Sequence, residues 1–183
     1  MDWELKQQKI LVQTPPFSVE ELQFNERASH LPLGHAYYRI VSPSWVNILA
    51  LTPAQEVILV RQPRAGAMQM TLEIPGGNMD QGETPEAAAA RELEEETGYR
   101  CDALQYLGSI SPNPAIMSNK LHMFLARDCF IPEQRLRFQD AMERIEVLTR
   151  PLSEVERLLQ AGEFQNALGA LTLLMALRYA VDP

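Results

Sequence analysis

The segment Arg91 to Gly98 reads RELEEETG and places four glutamates, Glu92, Glu94, Glu95 and Glu96, within five positions. On a helix, like charges three and four residues apart repel. The glycine that follows puts them at a helix C-terminus, where the macrodipole already disfavours negative charge. At about 100° per residue, Glu92, Glu95 and Glu96 share an arc of about 100° while Glu94 points nearly the opposite way. Leu93, with Ala89 and Ala90, supplies an adjoining apolar stripe. Clustered carboxylates are hard oxygen ligands suited to Mg²⁺, which binds phosphates alongside protein groups. A bound cation would remove the repulsion. The helical wheel leaves a second reading open, a solvated acidic face.

The elements that must position these acids are marked by their punctuation. Thr84-Pro85-Glu86 is a helix start, with Thr as N-cap, Pro at the first helical position and an acid in the first turn. The predicted helix runs through AAAARELEEET and stops at Gly98. Before it, WVNILAL, EVILVRQ and MTLEI read as core strands, the last closed by a Pro75 to Gly77 turn. Residues Lys9 to Val41 suit short antiparallel strands. After the helix, LQYLGSI, KLHMFLA and IEVLTR read as strands, and SEVE from Ser153 opens a short helix by a capping box that ends near Gly162. A last helix from about Asn166 to Tyr179 is apolar nearly all round, which predicts burial in the core or in a subunit interface. The expected class is α/β (α+β), without the regular alternation of a doubly wound fold.

Composition bounds the function. The chain has 183 residues, 46% of them hydrophobic, a net charge of −8 and a pI of about 4.9, which argues against a surface for nucleic-acid polymers. Cys101 and Cys129 form neither a disulfide framework nor a zinc pattern and read as reduced thiols. The start, MDWELKQQK, has no apolar signal core, and Ala167 to Leu177 is shorter than the roughly 18 residues of a membrane span. The expectation is a cytoplasmic protein with no membrane partner.

Spacing discriminates further. Gly77, five residues, Glu83, seven residues, Arg91-Glu92-Leu93, one residue, Glu95-Glu96, one residue, Gly98-Tyr99 resembles the Nudix box of the Nudix hydrolases across 23 residues, with Tyr99 where an aliphatic residue is usual. The resemblance implies a Nudix fold: an α/β/α sandwich around a mixed sheet. It implies residues 1–43 as an N-terminal antiparallel strand region able to form a dimer, and 44–183 as the hydrolase domain with its box at 77–99. It also implies Glu92 and Glu96 as Mg²⁺ ligands, with Mn²⁺ a possible substitute, Glu95 as ligand or water-orienting base, and the Gly76 carbonyl completing the shell. Glu83 and Arg91 would be a supporting ion pair, and Gly77 and Gly98 would serve backbone geometry.

Around the box, ILVRQPR followed by LEIPGG, Pro114 fifteen residues past Tyr99, and the tail from Glu143 are similar to the ADP-ribose pyrophosphatase and nucleotide-sugar branch. That likeness implies hydrolysis of the pyrophosphate of ADP-ribose or a related nucleoside diphosphate sugar, a small-molecule substrate, and a homodimer. Arg64 would contact the substrate phosphate or ribose, Glu73 would contact substrate or brace the loop, and Pro114 would mark the substrate side. Glu92, Glu95 and Glu143 would carry catalysis. Departures from the branch are Pro63, Gly76, Asn119 and Ala141, the last standing where the branch has a second late-loop acid, with Asp140 adjacent. Trp45, Tyr37 and Tyr38 suit nucleobase stacking but read more readily as core or interface. The alternatives are a non-catalytic metabolite-binding regulator of the same fold, or a hydrolase of nucleoside triphosphates or dinucleoside polyphosphates.

Overall fold

The computed structural model describes residues 2–133 and 145–181. It divides into two compact units, the first made of Met1–Ser44 with Ser111–Lys120, the second of Trp45–Ile110 with the chain from Leu121 onward. The first unit therefore takes in a ten-residue piece that lies beyond the expected boundary at residue 43.

In the first unit, β1 (Trp3–Gln13), β2 (Ser18–Glu26) and β3 (Tyr37–Val41) form an antiparallel sheet in that order. The strands are longer and begin earlier than expected, since the polar start of the chain is itself part of β1. Ile40 exchanges backbone hydrogen bonds with Ile116 and Ser118 (2.7 and 3.1 Å), which ties the 111–120 piece to β3. Buried Glu20 is held by Arg39 Nη2 at 2.6 Å and by Gln8 at 2.8 Å. Along β1, Leu5, Ile10, Leu11 and Val12 are exposed.

The second unit holds a seven-stranded sheet of β4 (Trp45–Leu51), β5 (Glu56–Arg64), β6 (Gln69–Glu73), β7 (Gly76–Asn78), β8 (Leu104–Ile110), β9 (Leu121–Ala126) and β10 (Glu146–Pro151). Its main path is β10-β5-β4-β9-β8, with β6 on β5 and β7 on β4. Among these described strands only β4 and β9 run parallel and the other pairings are antiparallel, so the sheet is mixed. Helix α1 (Pro85–Thr97) covers one face, resting on Val46, Ile48, Ala50, Ile58 and Phe124. Helices α2 (Leu152–Gln160) and α3 (Ala167–Val181) cover the other, where Leu49, Leu51, Val57 and Leu59 meet Val155, Leu158, Leu173 and Ala176. Alternate residues of β4 thus enter two separate cores, which is why WVNILAL shows no polar alternation. This is the expected α/β/α sandwich.

One feature of the sheet matters for chemistry. β4 and β5 pair only at Ala50–Ile58 and Leu51–Val57. Beyond that point β5 takes β6 as its partner from Val60 to Arg64, and β4 takes β7 from Trp45 to Asn47. Two sequence expectations need correction. Pro75 to Gly77 is no simple turn, because Gly76 and Gly77 lie in β7. The capping box at Ser153 does not form: α2 starts at Leu152 behind Pro151, with no side-chain cap. The last helix is also less enclosed than its composition suggests, since Leu173 and Ala176 are buried while Leu174 and Tyr179 are exposed. Cys101 and Cys129 are free thiols.

Candidate active site

Helix α1 forms where its punctuation places it. Thr84 Oγ1 accepts from Ala87 N at 3.2 Å, Pro85 begins the helix, and Gly98 ends it at φ 74°, its N–H donating to Glu94 O at 2.8 Å. That left-handed turn is one most side chains resist. The buried stripe is Ala88, Ala89, Leu93, Glu96 and Thr97; Ala90, expected in it, is exposed. The stripe therefore runs into the acids, and Glu96, seven residues after Ala89, is only 7% exposed.

The four glutamates separate. Glu94 pairs with Arg100. Glu96 accepts from Gly76 N (2.9 Å) and from the Gln62 amide (3.2 Å). Burial, with Glu92's nearby charge, pushes its pKa up to about 8 against the lowering effect of those hydrogen bonds and of Arg64. Glu92 and Glu95 each receive Arg91 Nη1 at 2.9 Å. The other edge of Arg91 forks onto Glu83 (3.0 and 3.0 Å) and reaches Asn78 O (2.9 Å), so the expected Glu83–Arg91 pair is present and joins the β7–α1 loop to the helix. That hydrogen bond to Arg91 holds the Glu83 carboxyl below its usual range.

Gly76 is required by close approach to backbone, and Gly77 packs against a movable side chain. A Cβ on Gly76 would collide with the Val46 carbonyl and the Asn47 amide, and one on Gly77 would sit 2.5 Å from the Glu92 carboxylate. Helix α1 thus delivers two carboxylates to one glycine pair: Glu96 onto the Gly76 N–H, Glu92 against Gly77. Hard carboxylate oxygens gathered at one glycine pair fit a divalent cation. Among the described residues, no three His, Cys, Asp or Glu side chains converge as an ion-binding group, and Arg91 Nη1 bridges Glu92 and Glu95.

A cavity of about 390 Å³ opens where β4 and β5 part, lined by Trp45 and Asn47 of β4, Arg64, Glu73, Gly77 and Asn166 among others. Arg64 Nε and Nη2 fork onto Glu73 at 2.9 and 3.0 Å. Thr71 Oγ1 (2.6 Å) and Asn166 Nδ2 (2.8 Å) also donate to Glu73, which is 4% exposed. Burial alone would raise the Glu73 pKa, but the donors, Arg64 first, hold it below the ordinary value. Pro114 belongs to the first unit. Glu143, Asp140 and Ala141 lie outside the described residues.

Gln62, Asn47 and Asn166 carried no expected role, and Trp45 was expected in the core or an interface more readily than against a nucleobase. Gln62 stands inside the RQPR stretch, so a signal for it existed. Nothing local marks Asn47 or Asn166, since their positions depend on strands and a helix brought together from afar.

The NUDIX domain model matches residues 42–165. The chain is 31% identical over 163 residues to an ADP-ribose pyrophosphatase of Bacillus subtilis strain 168, covering 88% of each chain. It is 30% identical over 126 residues to a methanol dehydrogenase activator of Bacillus methanolicus, covering 68% of each. The crystal structure of an ADP compounds hydrolase superposes with a TM-score of 0.83 at 24% identity, covering 98% of this chain and 94% of the other, which shows a shared fold.

Proposed function

The chain belongs to the NUDIX domain family, in its ADP-ribose pyrophosphatase branch, and from that premise we propose that it hydrolyses the pyrophosphate of ADP-ribose or a related nucleoside diphosphate sugar. The products are a nucleoside monophosphate and a sugar phosphate. The observation that carries this reading is the convergence of Glu92 and Glu96 on Gly76 and Gly77, at the rim of a cavity that also holds Arg64.

Each residue then has a task. Glu92, Glu96 and the Gly76 carbonyl would hold a divalent cation, Mg²⁺ or in its place Mn²⁺. When bound, that cation supplies charge neutralisation at the diphosphate and lowers the pKa of a water. Glu95, the most exposed of the three acids at 37%, accepts the proton of the attacking water or completes the cation's ligands. Glu143, outside the described residues, is assigned to the same work by its place in the sequence. Arg64 binds the diphosphate through its guanidinium, and Trp45 lines the same cavity. Glu83 and Arg91 fix the loop to the helix; Gly77 and Gly98 allow the approach and the exit of the chain.

Incubation of the protein with ADP-ribose, nucleotide sugars, dinucleotides and triphosphates, with Mg²⁺, Mn²⁺ or chelator, tests the reading. The expected result is cation-dependent release of a nucleoside monophosphate from a diphosphate sugar; preference for triphosphates would overturn the substrate class. The likeness to an activator supports a second reading, a NUDIX protein that regulates another enzyme by binding such metabolites. Tight calorimetric binding without turnover would favour it. We further propose a homodimer built on β1, whose exposed Leu5, Ile10, Leu11 and Val12 lie on a sheet edge that isolated proteins usually protect. Light scattering showing a monomer at micromolar concentration would refute it.

A further inference from the structure

Arg64 can serve a diphosphate only if its guanidinium is held in one plane, and what holds it reaches as far as α3. The Glu73 carboxylate, with about four lone-pair directions, receives four donors: Arg64 Nε and Thr71 Oγ1 on Oε1, Arg64 Nη2 and Asn166 Nδ2 on Oε2. Its accepting capacity is filled within the protein, so Glu73 lines the cavity as a brace for Arg64. Asn166 is the distant member, 93 residues away in sequence. Its Oδ1 accepts from Leu168 N (3.0 Å) and Gly169 N (3.3 Å), which makes it the N-cap of α3. One amide therefore does two things: its oxygen starts the helix, and its nitrogen fastens Glu73.

We propose that Asn166 is a positioning residue for the reaction, clasping Glu73 so that Arg64 is presented to the diphosphate. The inference rests on the reading of Arg64 as the diphosphate contact. In this role Asn166 touches neither the substrate nor the reacting atoms; it acts through Glu73. The clasp also sets how α3 matters to the site, because the helix that fills the core under β4 fixes Asn166 by its first turn.

Two substitutions separate the clasp from the cap. Asn166→Ser and Asn166→Asp both retain a good N-cap oxygen, but Ser cannot reach Glu73, and Asp sets a second carboxylate against it. The readouts are hydrogen exchange of the Arg64 Nε–H by NMR, assigned by its loss in Arg64→Lys, and the split of KM from kcat on the best diphosphate sugar. Circular dichroism checks α3. Expected in both variants are exchange at least about tenfold faster and KM up about tenfold, with kcat changed less than about threefold, as for loss of one hydrogen bond to a charged group. Unchanged exchange with α3 intact would overturn the clasp. Faster exchange with unchanged KM would overturn its role in the reaction. If the wild type turns over no diphosphate sugar, the proposed activity fails, while the exchange measurement still decides the clasp.

Discussion

Glu73 and Glu96 are both almost fully buried, at 4% and 7% exposure, and both stand beside the parted strands β4 and β5, yet they are compensated in opposite ways. Glu73 meets a guanidinium, a hydroxyl and an amide, and its pKa is lowered. Glu96 meets a backbone N–H and an amide, both neutral, and its pKa rises to about 8. Burial of an ionised carboxylate is costly unless a positive charge answers it. At Glu73 the protein supplies that charge itself through Arg64. At Glu96 the direct donors leave the cost standing, which is the electrostatic condition of a ligand for an external cation. The comparison separates a brace from a ligand, although burial is nearly the same.

The most damaging way to break the comparison is to remove the charge of Glu96. Glu96→Gln keeps the shape and a hydrogen-bonding group but loses the anionic oxygen. Stabilisation of developing charge by a cation is worth several kcal/mol, so kcat should fall by on the order of 10³-fold. Chelator-treated Glu96→Gln should unfold no more easily than the wild type, since a buried neutral amide replaces a buried acid. Near-normal turnover would remove Glu96 from the ligand set. Next in size is Arg64→Met, which turns Glu73 into a second Glu96. KM should rise by about tenfold or more through loss of a charge-assisted contact, and the Glu73 pKa, followed by carboxyl NMR, should move from below its ordinary value to above it. An unmoved Glu73 pKa would show that Thr71 and Asn166 suffice without Arg64.

How much of this was legible follows from how local each feature is. Helix α1 was, because Thr84, Pro85 and Gly98 act on their own backbone, and so was the separation of Glu94 from its neighbours. The strands and helices gave an α/β class without regular alternation, while the sandwich itself came from the likeness of the Gly77–Tyr99 spacing to the Nudix box. Gly76 and Gly77 were recognised but read as a turn. Their small size answers Val46, Asn47 and Glu92, which reach them only in the folded chain. The Arg64–Glu73 fork needed the β5–β6 register, in which Gln62 pairs with Thr71 and Arg64 with Gln69. Glu95 shares a helical face with Glu92, as the wheel indicated, but Arg91 at i−4 claims it, a pairing that i,i+4 chemistry allowed and that the metal reading passed over.

The smallest expected effect is also the sharpest test of the contrast, because it predicts slopes of opposite sign. A folded-state pKa below the unfolded value of 4.5 means that Glu73's contribution to stability is present above about pH 4.5 and is lost as pH falls through the folded pKa. For Glu96 the folded pKa of about 8 lies above the same unfolded value. Its contribution is then complete below about pH 4.5 and declines as pH rises toward 8, because the folded chain retains a proton that the unfolded chain has released. Urea unfolding of chelator-treated protein from about pH 3 to 9 should therefore show stability rising with pH on the acid side and a falling component between about 5 and 8. Glu73→Gln should reduce the first slope only, leaving the share of Glu83, whose carboxyl is also lowered, and Glu96→Gln should remove the second only. Added Mg²⁺ should flatten the second slope and leave the first, since a cation stabilises ionised Glu96 while Arg64 already answers Glu73. Coincident profiles for Glu96→Gln and wild type between about pH 5 and 8 would mean that Glu96 is ionised in the fold without a cation, and the two carboxylates would then differ only in their neighbours and not in their charge.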